Sequence, residues 1–116
     1  MEFTSRLQLA ADTLVVTVHE PVATDRRAGL TQDIHDLITE HRPTAVVFEL
    51  TPTASTTTAV SVILRLARHC DATGTRLAVA TPVPAIRHLI NANQPALPVH
   101  AHVHDALTAT RRHLPH

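Results

Sequence analysis

The sequence predicts an α/β domain whose mixed β-sheet opens with a hairpin and carries helices packed on it. Three observations carry this reading. Two β-prone segments stand at the start. Residues 44–68, TAVVFELTPTASTTTAVSVILRLAR, read as a buried strand, a hydroxyl-rich loop and an amphipathic helix. Strand and helix patterns then alternate, punctuated by Gly74 and several prolines.

Residues 3–9 alternate roughly, Ala11-Asp12 offers a turn, and residues 14–18 are strongly β-prone, which makes a hairpin. Glu20-Pro21 ends its second strand. Thr24 before Asp25 suits a helix N-cap, and Leu30, Ile34, Leu37 and Ile38 form an apolar stripe up to His41. Gly29 blurs where the regular helix begins, and Arg42-Pro43 breaks it. Ala45, Val46, Val47, Phe48 and Leu50 are a nearly continuous apolar run, the pattern of a parallel strand covered on both faces. Val60, Ile63, Leu64 and Ala67 then recur at helical spacing. This second helix spans about residues 57–70, with Gly74 as a left-handed stop. Residues 77–80 make a short strand. Pro82 or Pro84 starts a third helix through Ile90, and NANQPALP is an irregular connection. Val99 sits on a short last strand, and a final helix spans roughly residues 104–113.

The chain of 116 residues is expected to form one domain, 1–116, with a core that needs no disulfide. Its only aromatics are Phe3 and Phe48, so Val, Leu, Ile and Ala must build the core. Formal net charge is zero, which offers no electrostatic case for nucleic acid. A lone cysteine, Cys70, fits a reducing cytoplasm and reads as a structural thiol. No apolar run is long enough to span a bilayer, and the N-terminus has no signal-peptide pattern, so a soluble cytoplasmic protein is expected. Every basic residue is Arg, and Ala, Thr, Pro and His abound, as in codon usage from a GC-rich genome. That bias explains many of the histidines without chemistry.

The strand Val46-Val47-Phe48-Glu49-Leu50, followed by Thr56-Thr57-Thr58-Ala59-Val60 opening a helix, resembles the STAS family of anti-sigma-factor antagonists. Members carry a VVxDL-type strand, a short loop, then D-S-S/T-G-L. Gly74-Thr75-Arg76-Leu77-Ala78-Val79-Ala80-Thr81-Pro82 is similar to the family's G-x-x-L-x-L-x-x-P strand and turn. Ala85-Ile86-Arg87-His88-Leu89-Ile90 matches its next helix, and Leu97-Pro98-Val99 with Asp105-Ala106-Leu107 its closing strand and helix. The resemblance implies a STAS-like sandwich and a bacterial regulator of transcription. Its implied partner is an anti-sigma factor, a serine-protein kinase of the histidine-kinase-like ATPase type, whose capture relieves sigma inhibition.

The resemblance also places the phosphorylated Ser or Thr of the family at Thr58, with Thr57 as second candidate. An added phosphate brings nearly two negative charges to a helix N-terminus, where free N–H groups and the dipole favour an anion. A docked partner would meet that charge and be repelled. The implied partner-binding set is Thr53, Ser55, Thr56, Thr57, Thr58, Ala59, Ser61 and Arg65. Two residues depart from the motif: Thr56 replaces Asp and Ala59 replaces Gly. Capping and solvation are the plain alternative role for these hydroxyls. Arg65, Arg68 and His69 are expected on the solvated side of the second helix, as the rim of an interface or simply as a solvated face. Glu49 is expected to cap or brace the loop.

His100-Ala101-His102-Val103-His104 would align three imidazoles on one face of a continuous strand, a zinc-like spacing. The expected strand end and helix start split that face, so solvated histidines are the preferred reading and no metal or cofactor is expected. An enzyme is not expected either: the chain has only Gly29 and Gly74, and no Gly-rich phosphate loop, G-x-S-x-G or C-x-x-C. The competing functions are thus a phosphorylation-switched antagonist, a non-phosphorylated STAS subunit of a larger complex such as a lipid-transport ATPase assembly, and a metal-binding protein using His100, His102 and His104. A monomer or weak homodimer is expected, without membrane or nucleic-acid partners.

Overall fold

The computed structural model describes residues 5–10 and 13–112; Phe3, the turn expected at Ala11-Asp12 and the helix end expected at His113 lie outside them. The strands β1 (Ser5–Ala10) and β2 (Thr13–Val18) pair antiparallel as the expected hairpin arms, with Leu7 opposite Val16 and Leu9 opposite Leu14. From β2 onward the sheet grows in sequence order through β3 (Ala45–Leu50), β4 (Arg76–Ala80) and β5 (Val99–His100), each parallel to the last. The helices α1 (Arg27–His41), α2 (Thr57–Thr73) and α3 (Pro84–Asn93) connect these parallel strands, and α4 (Val103–Arg112) closes the chain.

Strands added in one direction by right-handed crossovers put every connecting helix on the same face. The main core follows: Val16, Phe48, Leu50 and Val79 point into it with Ile34, Ile63, Leu66 and Ile90 of the three helices. The opposite pleat positions Val15, Val47, Ala78 and Ala80 form a second, smaller cluster with Ala106, Val103 and Leu107 of α4. β3 is therefore covered on both faces, which is why its sequence does not alternate.

Several boundaries differ from expectation. Thr24 is not an N-cap: Thr24–Arg26 form a 3-10 turn, closed by Arg26 N–H to Ala23 C=O at 2.9 Å, before α1 proper. Gly29 needs no explanation from packing, since a Cβ there would meet only open space. Arg42, in the left-handed region (φ 47°), ends α1. α2 runs past Cys70 to Thr73, where Gly74 (φ 75°) stops it as expected. α3 runs past Ile90 to Asn93.

The core face of α2 also differs. Val60, Ile63 and Ala67 are buried, but so are Ala59, Val62, Leu66 and Cys70, whereas Leu64 is half-buried. α2 has α1 on one flank, α3 on the other and the sheet below, so its buried arc is wider than one stripe. Burial pushes the Cys70 thiol up to about 11, which keeps it protonated and unreactive near neutral pH.

Candidate functional site

The parallel arrangement brings the carboxyl ends of β2, β3, β4 and β5 to one rim, where loops of α/β sheets gather binding residues. The loop Thr51 to Thr56 leaves β3 there. Thr51 N–H bonds Val18 C=O at 3.1 Å, and Ala54 N–H returns to Thr51 C=O at 3.0 Å, which makes a tight turn. Ala54, fully buried, pins that turn to the core and leaves Pro52 and Thr53 exposed.

A hydroxyl relay holds the rest of the loop. Ser55 Oγ donates to Thr51 C=O at 2.9 Å and lies 2.7 Å from Thr81 Oγ1, just past β4. Ser55 has one proton and spends it on the carbonyl, so Thr81 donates to Ser55. Thr81 Oγ1 in turn accepts from Val83 N–H at 3.3 Å, while its carbonyl accepts from Arg87 Nη1 at 2.8 Å. Thr81 is 0% exposed. Thr81 and Arg87 were not among the residues expected at the site; the one sequence signal was a hydroxyl between an apolar strand and Pro82. Thr81→Val should leave Ser55 Oγ without a donor and Val83 N–H without an acceptor, and cost about 1–3 kcal/mol by urea denaturation.

α2 starts where the loop ends. Thr56 is the N-cap: its side chain accepts from Ala59 N–H at 3.2 Å, and Val60 N–H to Thr56 C=O at 3.1 Å is the first intrahelical bond. The N–H groups of Thr57 and Thr58 precede that bond and have no intrahelical acceptor. The first turn holds no acidic side chain. Its positive dipole end is thus open to an anion.

The structure separates the expected contact residues into two groups. Thr53, Thr57 and Arg65 are exposed, with Thr58 half-buried beside them. Ser61 is half-buried, with Arg27 Nη1 of α1 at 3.5 Å from its hydroxyl. Ser55 faces inward through the relay, and Thr56 spends its side chain on the cap. Ala59 is 1% exposed, so its methyl points into the core rather than toward a partner. Arg68 is exposed as expected, but His69 turns into the α1 seam against His35. Glu49 braces a neighbouring strand rather than the loop: Thr17 Oγ1, opposite it on β2, donates to Glu49 Oε1 at 3.0 Å.

His100 ends β5 and His104 lies in α4, with His102 on the bend between, so the run does not share one face. Among the described residues no group of three or more metal-ligating side chains comes together. Cavities of about 620 and 510 Å³ open around the amino end of β4, at the opposite end of the sheet from the loop. No helix among the described residues is long and apolar enough to cross a membrane.

A STAS domain family model matches residues 5–106. The chain belongs to the STAS domain family. Solved structures share its fold at low identity. Moorella thermoacetica RsbS with a serine-to-glutamate substitution superposes at a TM-score of 0.76 and 11% identity, over 93% of this chain and 95% of that one. The anti-sigma factor antagonist SpoIIAA in its unphosphorylated form gives 0.69 and 14%, over 95% and 99%. Bacillus SpoIIAA in the phosphorylated form gives 0.67 and 15%, over 92% and 99%. No curated protein sequence matches the chain. In this STAS domain Ala59 is 1% exposed, so its methyl adds nothing to the outer surface of the helix start.

Proposed function

We propose that this STAS domain, 1–116 as a single unit, is a cytoplasmic anti-sigma-factor antagonist and not an enzyme. It docks a serine-kinase-type anti-sigma factor through Thr53, Thr57, Thr58 and the exposed side of α2 as far as Arg65. Capture of that partner relieves sigma inhibition, and phosphorylation at Thr58 reverses the capture. The observation that carries the proposal is the helix start itself. Thr57 and Thr58 stand on the first turn of α2, without acidic neighbours in that turn, on a loop locked to the sheet by Ser55 and Thr81. A rigid mount of this kind lowers the ordering cost of docking. An anion added there meets free N–H groups instead of disturbing the core. The solved relatives support a switch of this type, since SpoIIAA has been solved in both phosphorylated and unphosphorylated forms.

A second reading rests on Thr56. With a neutral cap in place of the motif's acid, the helix start offers a kinase one charged contact fewer. The domain is then a constitutive binder, a non-phosphorylated subunit of a larger assembly; one solved structure that shares the fold belongs to an assembly, the stressosome. Co-purification from the source cells identifies the partner in either case. Incubation with the captured kinase and ATP separates the readings: a single phosphate by intact mass, absent in Thr58→Ala, supports the switch. Stable binding with no added mass assigns the constitutive role.

A further inference from the structure

Two polar side-chain contacts cross the seam between α1 and α2: Arg27 to Ser61 near the start of α2, and His35 to His69 farther along. In the second, Nε2 of His35 meets Nδ1 of His69 directly, with the rings edge-on at 87°. Such a contact needs one nitrogen with a proton and one with a lone pair, so at least one ring must be neutral. Nε2 of His69 is itself buried without a partner.

Among the described residues, the carboxylates of α1 and α2 include Asp33, half-buried with an unpartnered Oδ2, and none of them lines the cavity that His69 borders. On α2, Arg65 and Arg68 flank His69 at the surface. Arg42 at the end of α1 and Arg76 of β4 share with His69 the cavity of about 510 Å³, which no described carboxylate lines. Asp36 of α1 is exposed and takes Gln32, and Glu40 and Asp71 are exposed. The neighbours that line the cavity with His69 are cationic or neutral.

We propose that His35 and His69 form a proton-operated latch on the α1–α2 seam, closed while at most one imidazole is charged and released when both are. The inference stands apart from the docking function, although α2 carries the proposed docking face. Burial first, and the charge of His35 second, hold His69 below the ordinary histidine value. The unfolded chain therefore binds more protons than the folded one once pH drops below about 6.5. The latch's contribution is complete above that pH and is lost as pH falls toward the lowered value of His69.

Two measurements on the full chain test this: side-chain NMR titration, and thermal melts at pH 7.5 and pH 5.5. Wild type is compared with His69→Gln and His35→Gln. The latch predicts that wild type loses several degrees more of Tm between the two pH values than His69→Gln does. It also predicts that the His69 midpoint moves up in His35→Gln. Equal Tm losses in wild type and His69→Gln overturn the proposal, as does a His69 midpoint indifferent to His35→Gln. Should His69→Gln not fold, the His69 midpoints in wild type and His35→Gln decide alone.

Discussion

Thr58→Glu should leave the domain folded and remove most of its affinity for the partner. The substitution adds one negative charge in the first turn of α2, which has none. Interaction with the helix dipole should leave stability unchanged or raise it by about 0.3–1 kcal/mol. Docking is a different matter. Thr58 is half-buried beside exposed Thr57, so an interface covering both must desolvate the new carboxylate. Burying an interfacial charge without a partner costs roughly 2 kcal/mol or more, at least about 25-fold in Kd. Thr58→Ala, which adds no charge, should keep the affinity. Calorimetry with the co-purified partner reads the difference, and thermal melts check the fold. Undiminished binding by a folded Thr58→Glu protein would move the interface away from the helix start.

Val47→Asp should abolish the folded state. Val47 lies mid-strand in β3, is 0% exposed, and faces the small second core with Val15, Ala78 and Ala106. A carboxylate there has no described polar partner in that cluster and must either pay desolvation or bind a proton. Costs of several kcal/mol are comparable to the whole stability of a small domain, about 5–15 kcal/mol. Circular dichroism should show no cooperative melt, or one at much lower temperature. Leu66→Asp, in the main core, should behave alike. Leu64→Asp should be milder, because Leu64 is half-buried. A Val47→Asp protein melting at the wild-type temperature would contradict the two-sided burial of β3.

The contrast between Leu64 and Leu66 illustrates what a periodic pattern leaves open. The apolar spacing on α2 correctly announces a helix and a core-facing side. It does not report how many neighbours flank that side. With α1 and α3 on either flank, Val62, Leu66 and Cys70 are buried as fully as the expected stripe. Ala59 shows the same limit at the candidate site: the motif alignment makes it a contact residue, and the packing turns its methyl inward.

Elements encoded by neighbouring residues were legible in the sequence. The apolar run of β3, the hydroxyl cluster at the start of α2, Gly74 in the left-handed region and Arg42-Pro43 after α1 act through local backbone preference or burial, so the fold class could be read from them, whereas the order of the strands came from the structure. The contacts that shape the site join residues distant in the chain. Ser55 meets Thr81 across 26 positions, Thr17 meets Glu49 across 32, and His35 meets His69 across 34. Hydrogen bonds of this kind depend on which strands lie adjacent and how two helices are rotated about their axes. No local propensity encodes that rotation. Local patterns were enough to read the family, a mixed sheet opened by a hairpin, and the helix that begins at the hydroxyl cluster. Packing between elements distant in the chain sets which hydroxyls face outward, which lock the loop, and that two histidines share one seam.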